Sequence, residues 1–133
     1  MRAVQQSDHE VVPAVDYGMD PLLDVHTARY LDFLATAFSE WTRAGLKGRV
    51  FPANFDARPQ IYKPDWSVVA RAGYHLHDQL TPVDEGTWHA AYWAAQTAMT
   101  GASLIRNGET RSTPYAVPQA TMRAPISQPV QHI

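Results

Sequence analysis

Val83-Asp84-Glu85-Gly86-Thr87-Trp88-His89-Ala90-Ala91-Tyr92-Trp93-Ala94-Ala95-Gln96 opens a run that continues to Ile105-Arg106-Asn107-Gly108, and its rhythm decides the architecture. Trp88, Ala91, Tyr92, Ala95, Met99, Ala102 and Ile105 keep the three-to-four spacing of a helix face, which predicts a helix from Glu85 or Thr87 to Arg106. Ala90, Ala94, Ala98 and Gly101 are small and let a neighbouring element approach closely. Asn107-Gly108 is a stop signal, because glycine enters the left-handed conformation that ends helices without steric cost. After Arg111 the composition changes to Ser112-Thr113-Pro114-Tyr115-Ala116-Val117-Pro118-Gln119, with further prolines at 125 and 129. A well-specified helix runs into a tail that specifies little.

Upstream, a second helix is expected from about Thr27 to Ala44, with Thr27 as N-cap and Gly45 as terminator. Tyr30, Leu31, Leu34, Phe38 and Trp41 form its apolar stripe, while Arg29, Asp32, Ser39, Glu40 and Arg43 take the other faces. Ahead of it, Glu10-Val11-Val12-Pro13-Ala14-Val15 is β-prone, but Pro13 cannot donate to a ladder, so it reads as an edge strand or an extended lead-in. Asp20-Pro21 suits a turn or a helix start.

Between the two helices, Leu46 to Asp84 is a long connection rich in proline and aromatics, of the kind that is usually functional or packs against something else. Only Val68-Val69-Ala70-Arg71-Ala72-Gly73-Tyr74 offers a short helical turn within it. Two helices and a loop bury their stripes poorly on their own, so the chain reads as part of a larger fold.

Composition sets outer limits. The 133 residues suffice for one domain or part of one, and 45% are hydrophobic. A net charge of −2 supplies no basic stripe for nucleic acid. There is no cysteine, which excludes disulfides and thiolate metal sites. No apolar run is long enough to span a bilayer, and the first residues lack a signal-peptide core, so a cytoplasmic protein without membrane contact is expected.

Three blocks together resemble the histone deacetylase superfamily, most closely its bacterial acetylpolyamine amidohydrolase branch. They are Leu22 to Leu34 (with Val25-His26 and Tyr30-Leu31-Asp32-Phe33-Leu34), Arg71-Ala72-Gly73-Tyr74-His75-Leu76-His77-Asp78 with Thr81-Pro82-Val83, and Gly86-Thr87-Trp88 through Leu104-Ile105. The resemblance covers about Val11 to Arg111. It implies an α/β fold: residues 1–111 would be the N-terminal part of an arginase/deacetylase-type three-layer domain, itself mainly helical with a long irregular loop. Residues 112–133 would be a non-homologous, disordered tail.

The family's chemistry is zinc-dependent hydrolysis of acetylated polyamine or acetyl-lysine-type amides. It uses an Asp-x-His pair and a second Asp on the metal, a twin-histidine base and acid, and a tyrosine on the oxyanion. In relatives the twin histidines follow a Tyr-Ala-Leu strand. Tyr115-Ala116-Val117 matches the start of that strand, but Pro118-Gln119-Ala120-Thr121-Met122-Arg123 holds no histidine pair. If Gln119 to Arg123 were encoded CAG-GCC-ACC-ATG-CGC, reading two bases later would give Gly-His-His-Ala, so a frameshifted remnant is expected after about Val117. Alone, the chain is expected to be inactive and to bind no zinc. The other reading is a non-catalytic helical module docking on an intact homologue or another partner.

Candidate site residues are few. Asp24-Val25-His26 has metal-pair spacing but lacks the family's surrounding motif, so a helix-entry cap is the better reading. His75 and His77 could face one side of an extended segment, yet no third ligand accompanies them, and a loop surface is preferred. Trp88, Tyr92 and Trp93 read as core rather than as a ligand platform. Tyr62, Asp65, Trp66 and Asp78 are candidates for a substrate rim, because in the resembled branch this insertion narrows the active-site mouth and builds a subunit contact; for any one of them a solvated, proline-rich loop is the preferred reading. Acidic groups there would attract ammonium tails. The same loop, 46–84, would then carry a homo-oligomer contact.

Overall fold

In the computed structural model the elements follow in the order β1 (Val11–Pro13), α1 (Asp20–Leu23), α2 (Ala28–Arg43), α3 (Val68–His75), α4 (Thr87–Arg106) and β2 (Tyr115–Val117). The structure describes residues 11–53, 61–63 and 65–109, together with the backbone of 115–117. The reading of 119–123 as a shifted frame, and the expected disorder of the tail beyond Val117, lie outside the described residues.

Both long helices stand where their periodicity puts them, and both end in the same way. After α2, the Leu46 N–H donates to the Trp41 carbonyl (3.1 Å) and the Gly45 N–H to the Thr42 carbonyl (3.0 Å). After α4, Glu109 donates to Leu104 (3.0 Å) and Gly108 to Ile105 (3.1 Å). This paired closure needs one left-handed residue, and Gly45 at φ +78° and Gly108 at φ +73° supply it. The start of α2 differs from expectation: Thr27 is the N-cap residue, with extended backbone, but its side chain makes no capping hydrogen bond.

The chain divides into two compact units, Asp16–Gln96 and Met1–Val15 with Thr97–Ile133. In the first, the core comprises Phe33, Ala37, Trp41, Val50, Val68, Ala72, Leu76 and Val83. The seam on α2 keeps Leu31 and Trp41 of the expected stripe, both buried, and adds Phe33 and Ala37. Phe33 and Ala37 are fully buried, whereas Tyr30, Leu34 and Phe38 are only half-buried. The physical reason is α3, whose small Ala72 is also fully buried in the same core as Phe33 and Ala37. Burying a side chain the size of Phe33 stabilises the fold by about 1.5–3 kcal/mol.

The long connection is less irregular than its composition implies. Val50 and Val83 form an isolated antiparallel bridge with reciprocal bonds of 2.8 and 2.9 Å, and both side chains belong to the core. The bridge closes the connection at its base, and α3 fills it with a two-turn helix.

A buried arginine ties α3 to α2. The Arg71 guanidinium pairs with the Glu40 carboxylate and lies 3.5 Å from Asp32, while its side chain is 8% exposed. Burial acts to lower its pKa, but the Glu40 carboxylate and the Tyr62 hydroxyl outweigh that and raise it. The charge is locked on.

Along α4 the structure corrects the expected apolar face. Its buried side chains among the described residues are Gln96 and Thr100, with Gly101 buried beside them. Trp88, Tyr92, Trp93, Ala95 and Met99 are half-buried, and Ala91, Ala102 and Ile105 are exposed. Polar positions face inward because they bond to the irregular backbone at residues 15–18. The Tyr17 N–H donates to Gln96 Oε1 (2.8 Å) and Gln96 Nε2 donates to the Gly18 carbonyl (3.1 Å). Tyr92 adds its hydroxyl to Asp16 Oδ1, and burial together with that carboxylate pushes its pKa up to about 12.

In the second unit, β1 and β2 pair in parallel with Val11 opposite Tyr115, Val12 opposite Ala116 and Pro13 opposite Val117. The lead-in is thus a strand, and Tyr115-Ala116-Val117 is a strand as its motif implied, inside the stretch read as tail. Just past β1, Ala14 is buried and the Val15 N–H donates to the Thr100 hydroxyl (2.9 Å). Among the described residues no helix is long and apolar enough to cross a membrane.

Candidate functional site

The densest group of chemically distinctive side chains lies where α3 meets the start of α2. Ser67 caps α3 by accepting from the Ala70 N–H at 3.4 Å, which fixes the phase of the helix. That phase turns Arg71 and Ala72 inward and sets Tyr74 and His75 beside α2. The His75 ring stacks on Phe33 with centroids 4.8 Å apart and planes 25° from parallel. Tyr30, Tyr62 and Tyr74 surround it at 5.7, 5.8 and 4.9 Å.

Outward from His75 the rings form a box. Tyr62, Trp66 and Tyr74 lie 5.2–5.8 Å from one another, with planes inclined by 59–68°. The Arg29 guanidinium sits 5.4 Å from the Tyr62 centroid and 5.8 Å from that of Tyr74. Rings at these separations and angles pack against one another in tilted and edge-on contacts, and Arg29 adds a cation–π contact to two of them.

Electrostatics follow from the packing. Burial pushes the His75 pKa down to about 4, and the charges of Arg29, Arg71 and His77 push the same way. The imidazole is neutral at pH 7. Its Nε2 is buried with no hydrogen-bond partner among the described residues, as is Arg71 Nε.

A separate open cleft of about 780 Å³ is lined by Phe38, Thr42, Leu46, Arg49, Asp84 and Glu85, among others. Two of its charged groups, Asp84 and Arg49, are already engaged. Asp84 accepts from the Thr87 hydroxyl (2.9 Å), and Arg49 lies 3.7 Å away, both side chains being well exposed. This arrangement opens α4 and supplies no reactive group.

No family model matches the chain. Individual proteins do. It is 35% identical over 110 residues to acetylpolyamine amidohydrolase 1 of Pseudomonas aeruginosa, covering 80% of this chain and 32% of that protein. It is 36% identical over 99 residues to the acetylpolyamine amidohydrolase of Burkholderia pseudomallei, covering 70% of this chain and 27% of that one. A crystal structure of acetylpolyamine aminohydrolase from B. pseudomallei superposes with a TM-score of 0.66 at 36% identity, over 74% of this chain and 29% of its own. The chain belongs to the acetylpolyamine amidohydrolase-like family. It spans about a third of the length of the curated relatives it matches.

Within this amidohydrolase-like chain the four residues assigned to a rim separate into two kinds. Tyr62 and Trp66 join the aromatic box. Asp65 lies between them in sequence and is exposed. Asp78 is spent on its own turn, accepting from the Leu80 N–H (2.7 Å), the Thr81 N–H (2.8 Å) and the Thr81 hydroxyl (2.8 Å). The Thr81 bonds, hydroxyl first, hold its carboxyl below the usual range.

Asp24 caps the end of α1 through its backbone, and the His26 ring packs 5.4 Å from Tyr30. His75 faces Phe33 while His77 is exposed. Among the described residues no group of three or more His, Asp or Glu could hold a metal ion.

Sequence reasoning missed Arg71 and Arg29. Arg71 had a legible signal: a lone cation inside Val68-Val69-Ala70-Arg71-Ala72, with Asp32 and Glu40 two turns apart on the other helix. For Arg29 no comparable signal exists, because its partners come from a loop more than thirty residues away.

Proposed function

We infer that this chain supplies the bracing helices and part of the pocket rim of a zinc-dependent hydrolase acting on acetylated polyamine or acetyl-lysine-type amides. The observation that carries this reading is the 35% identity over 110 residues to an acetylpolyamine amidohydrolase, supported by the TM-score of 0.66. In such an enzyme zinc would polarise the acetyl carbonyl and activate water. The described residues do not fit that ion: the Asp24/His26 and His75/His77 pairs each lack the further donors a site needs. On this reading the metal-holding and proton-transferring groups lie outside the described residues, in the part of the relatives that this chain does not span, within a three-layer fold that the helices here would flank.

What the chain's own residues do is mechanical and electrostatic. Arg71, Glu40 and the bridge at Val50 and Val83 fix the 46–84 connection. That connection presents Tyr62, Asp65, Trp66 and Asp78 as a rim and carries a homo-oligomer contact. By itself the 133-residue chain is inactive. The test is a deacetylase assay on acetylated diamines with zinc added, run on the chain alone and together with an intact relative. Turnover by the chain alone at the intact relative's rate would overturn the reading.

A further inference from the structure

We propose that Asn107 is a site of spontaneous deamidation, its side-chain amide attacked by the Gly108 backbone nitrogen, and that the closure ending α4 sets the rate. The inference is independent of the hydrolase reading. It concerns the covalent chemistry of one helix end and is read by mass rather than by turnover.

The step needs an asparagine followed by a residue whose amide nitrogen can reach its Cγ. Gly108 carries no Cβ to obstruct that approach, and an added Cβ there would meet no atom within 4 Å. Asn107, Gly108 and Glu109 are all exposed, so water and solvent base have access. Attack forms the bond from Gly108 N to Asn107 Cγ, the Gly108 amide proton passes to solvent, and the side-chain nitrogen departs as ammonia. Water then opens the resulting succinimide at either carbonyl, giving aspartate or isoaspartate. No oxidant or cofactor takes part. Asn54, the other asparagine of the chain, precedes Phe55, whose side chain hinders the same attack.

Both reacting groups are held, and held weakly. The Gly108 N–H donates to the Ile105 carbonyl at 3.1 Å, and Asn107 Nδ2 donates to Glu109 Oε1 at 3.3 Å. These distances lie at or beyond the long end of the ordinary range, and on the last turn of a helix, where local opening needs little free energy. The reaction therefore runs through the frayed end. Its product resists reclosure, because the new carboxylate sits at the negative end of the α4 dipole and beside Glu109. Isoaspartate also adds a methylene to the main chain, which displaces the Glu109 N–H from the Leu104 carbonyl it meets at 3.0 Å.

The test is incubation of the full chain at neutral and mildly alkaline pH, with peptide mapping by mass spectrometry, beside a synthetic peptide of residues 103–111. Asn107 should convert in both, and Asn54 of the chain should stay intact. Conversion should be faster at the higher pH, since the attacking nitrogen must lose its proton. In the chain it should run roughly two- to tenfold slower than in the peptide, the factor that about one weak hydrogen bond contributes by holding the end closed. Asn107→Gln, folded by its thermal melt, should abolish the product. An intact Asn107 in the chain while the peptide converts, equal conversion of Asn54 and Asn107, or a rate that does not rise with pH would overturn the site. A chain that converts as fast as the peptide would overturn the control by the helix closure.

Discussion

Glu40→Gln isolates the tie between α2 and α3. Removing one partner of a fully buried ion pair costs about 3–5 kcal/mol, because the other charge is left without compensation. Arg71 meets that condition with 8% side-chain exposure, but Glu40 is 31% exposed and Asp32 remains 3.5 Å from the guanidinium. Water at Glu40 and the surviving Asp32 carboxylate reduce the loss, so about 1–2 kcal/mol is expected. Arg71→Met should cost less, about 0–1 kcal/mol, because it removes the buried charge and leaves a side chain that packs on Phe33. In that background Glu40→Gln should cost almost nothing. Urea unfolding of wild type, both single variants and the double variant gives the coupling directly, expected at about 1 kcal/mol or more. If Glu40→Gln is as costly in the Arg71→Met background as in wild type, the ion pair does not dock the helices and the reasoning fails.

Other outcomes follow from the same geometry. Because the folded-state pKa of His75 is depressed from 6.5 to about 4, the fold favours the neutral ring; its contribution is complete above pH 6.5 and is lost as pH falls towards 4. The urea midpoint should fall across that window in wild type and fall less in His75→Phe; identical profiles would contradict this. Gly45→Ala should destabilise by about 1 kcal/mol through backbone strain alone, since φ is +78° and no atom lies within 4 Å of an added Cβ; an unchanged melting temperature would count against the helix ending described. Gln96→Leu should cost about 1–3 kcal/mol by stranding the Tyr17 N–H and the Gly18 carbonyl, and should speed amide exchange at Tyr17. Unaltered exchange there would refute the clamp.

Helices α2 and α4 were legible because period and glycine stops are local, and Gly45 and Gly108 act on the residues directly before them. The faces those helices bury were less legible. Phe33 and Ala37 lie inward because α3 approaches from their side, a fact set by residues some thirty-five positions away. On α4, alanines and aromatics advertise an apolar face, yet Gln96 and Thr100 are buried because the irregular backbone at 15–18 bonds to them. Of the rim residues, Tyr62 and Trp66 converge with Tyr74, whereas Asp78 is taken up by the turn to Thr81, a role its assignment to the rim did not anticipate. The family was readable from three ordered blocks. The aromatic box was not, since ring angles and the reach of Arg29 are three-dimensional facts.

Zinc uptake by the purified 133-residue chain, followed by competition with a chromophoric chelator, bears most directly on the assignment of metal chemistry to residues outside it. The account predicts no stoichiometric binding, and no change on replacing His26, His75 or His77 by alanine. Tight one-to-one binding that is lost with any of those substitutions would contradict it.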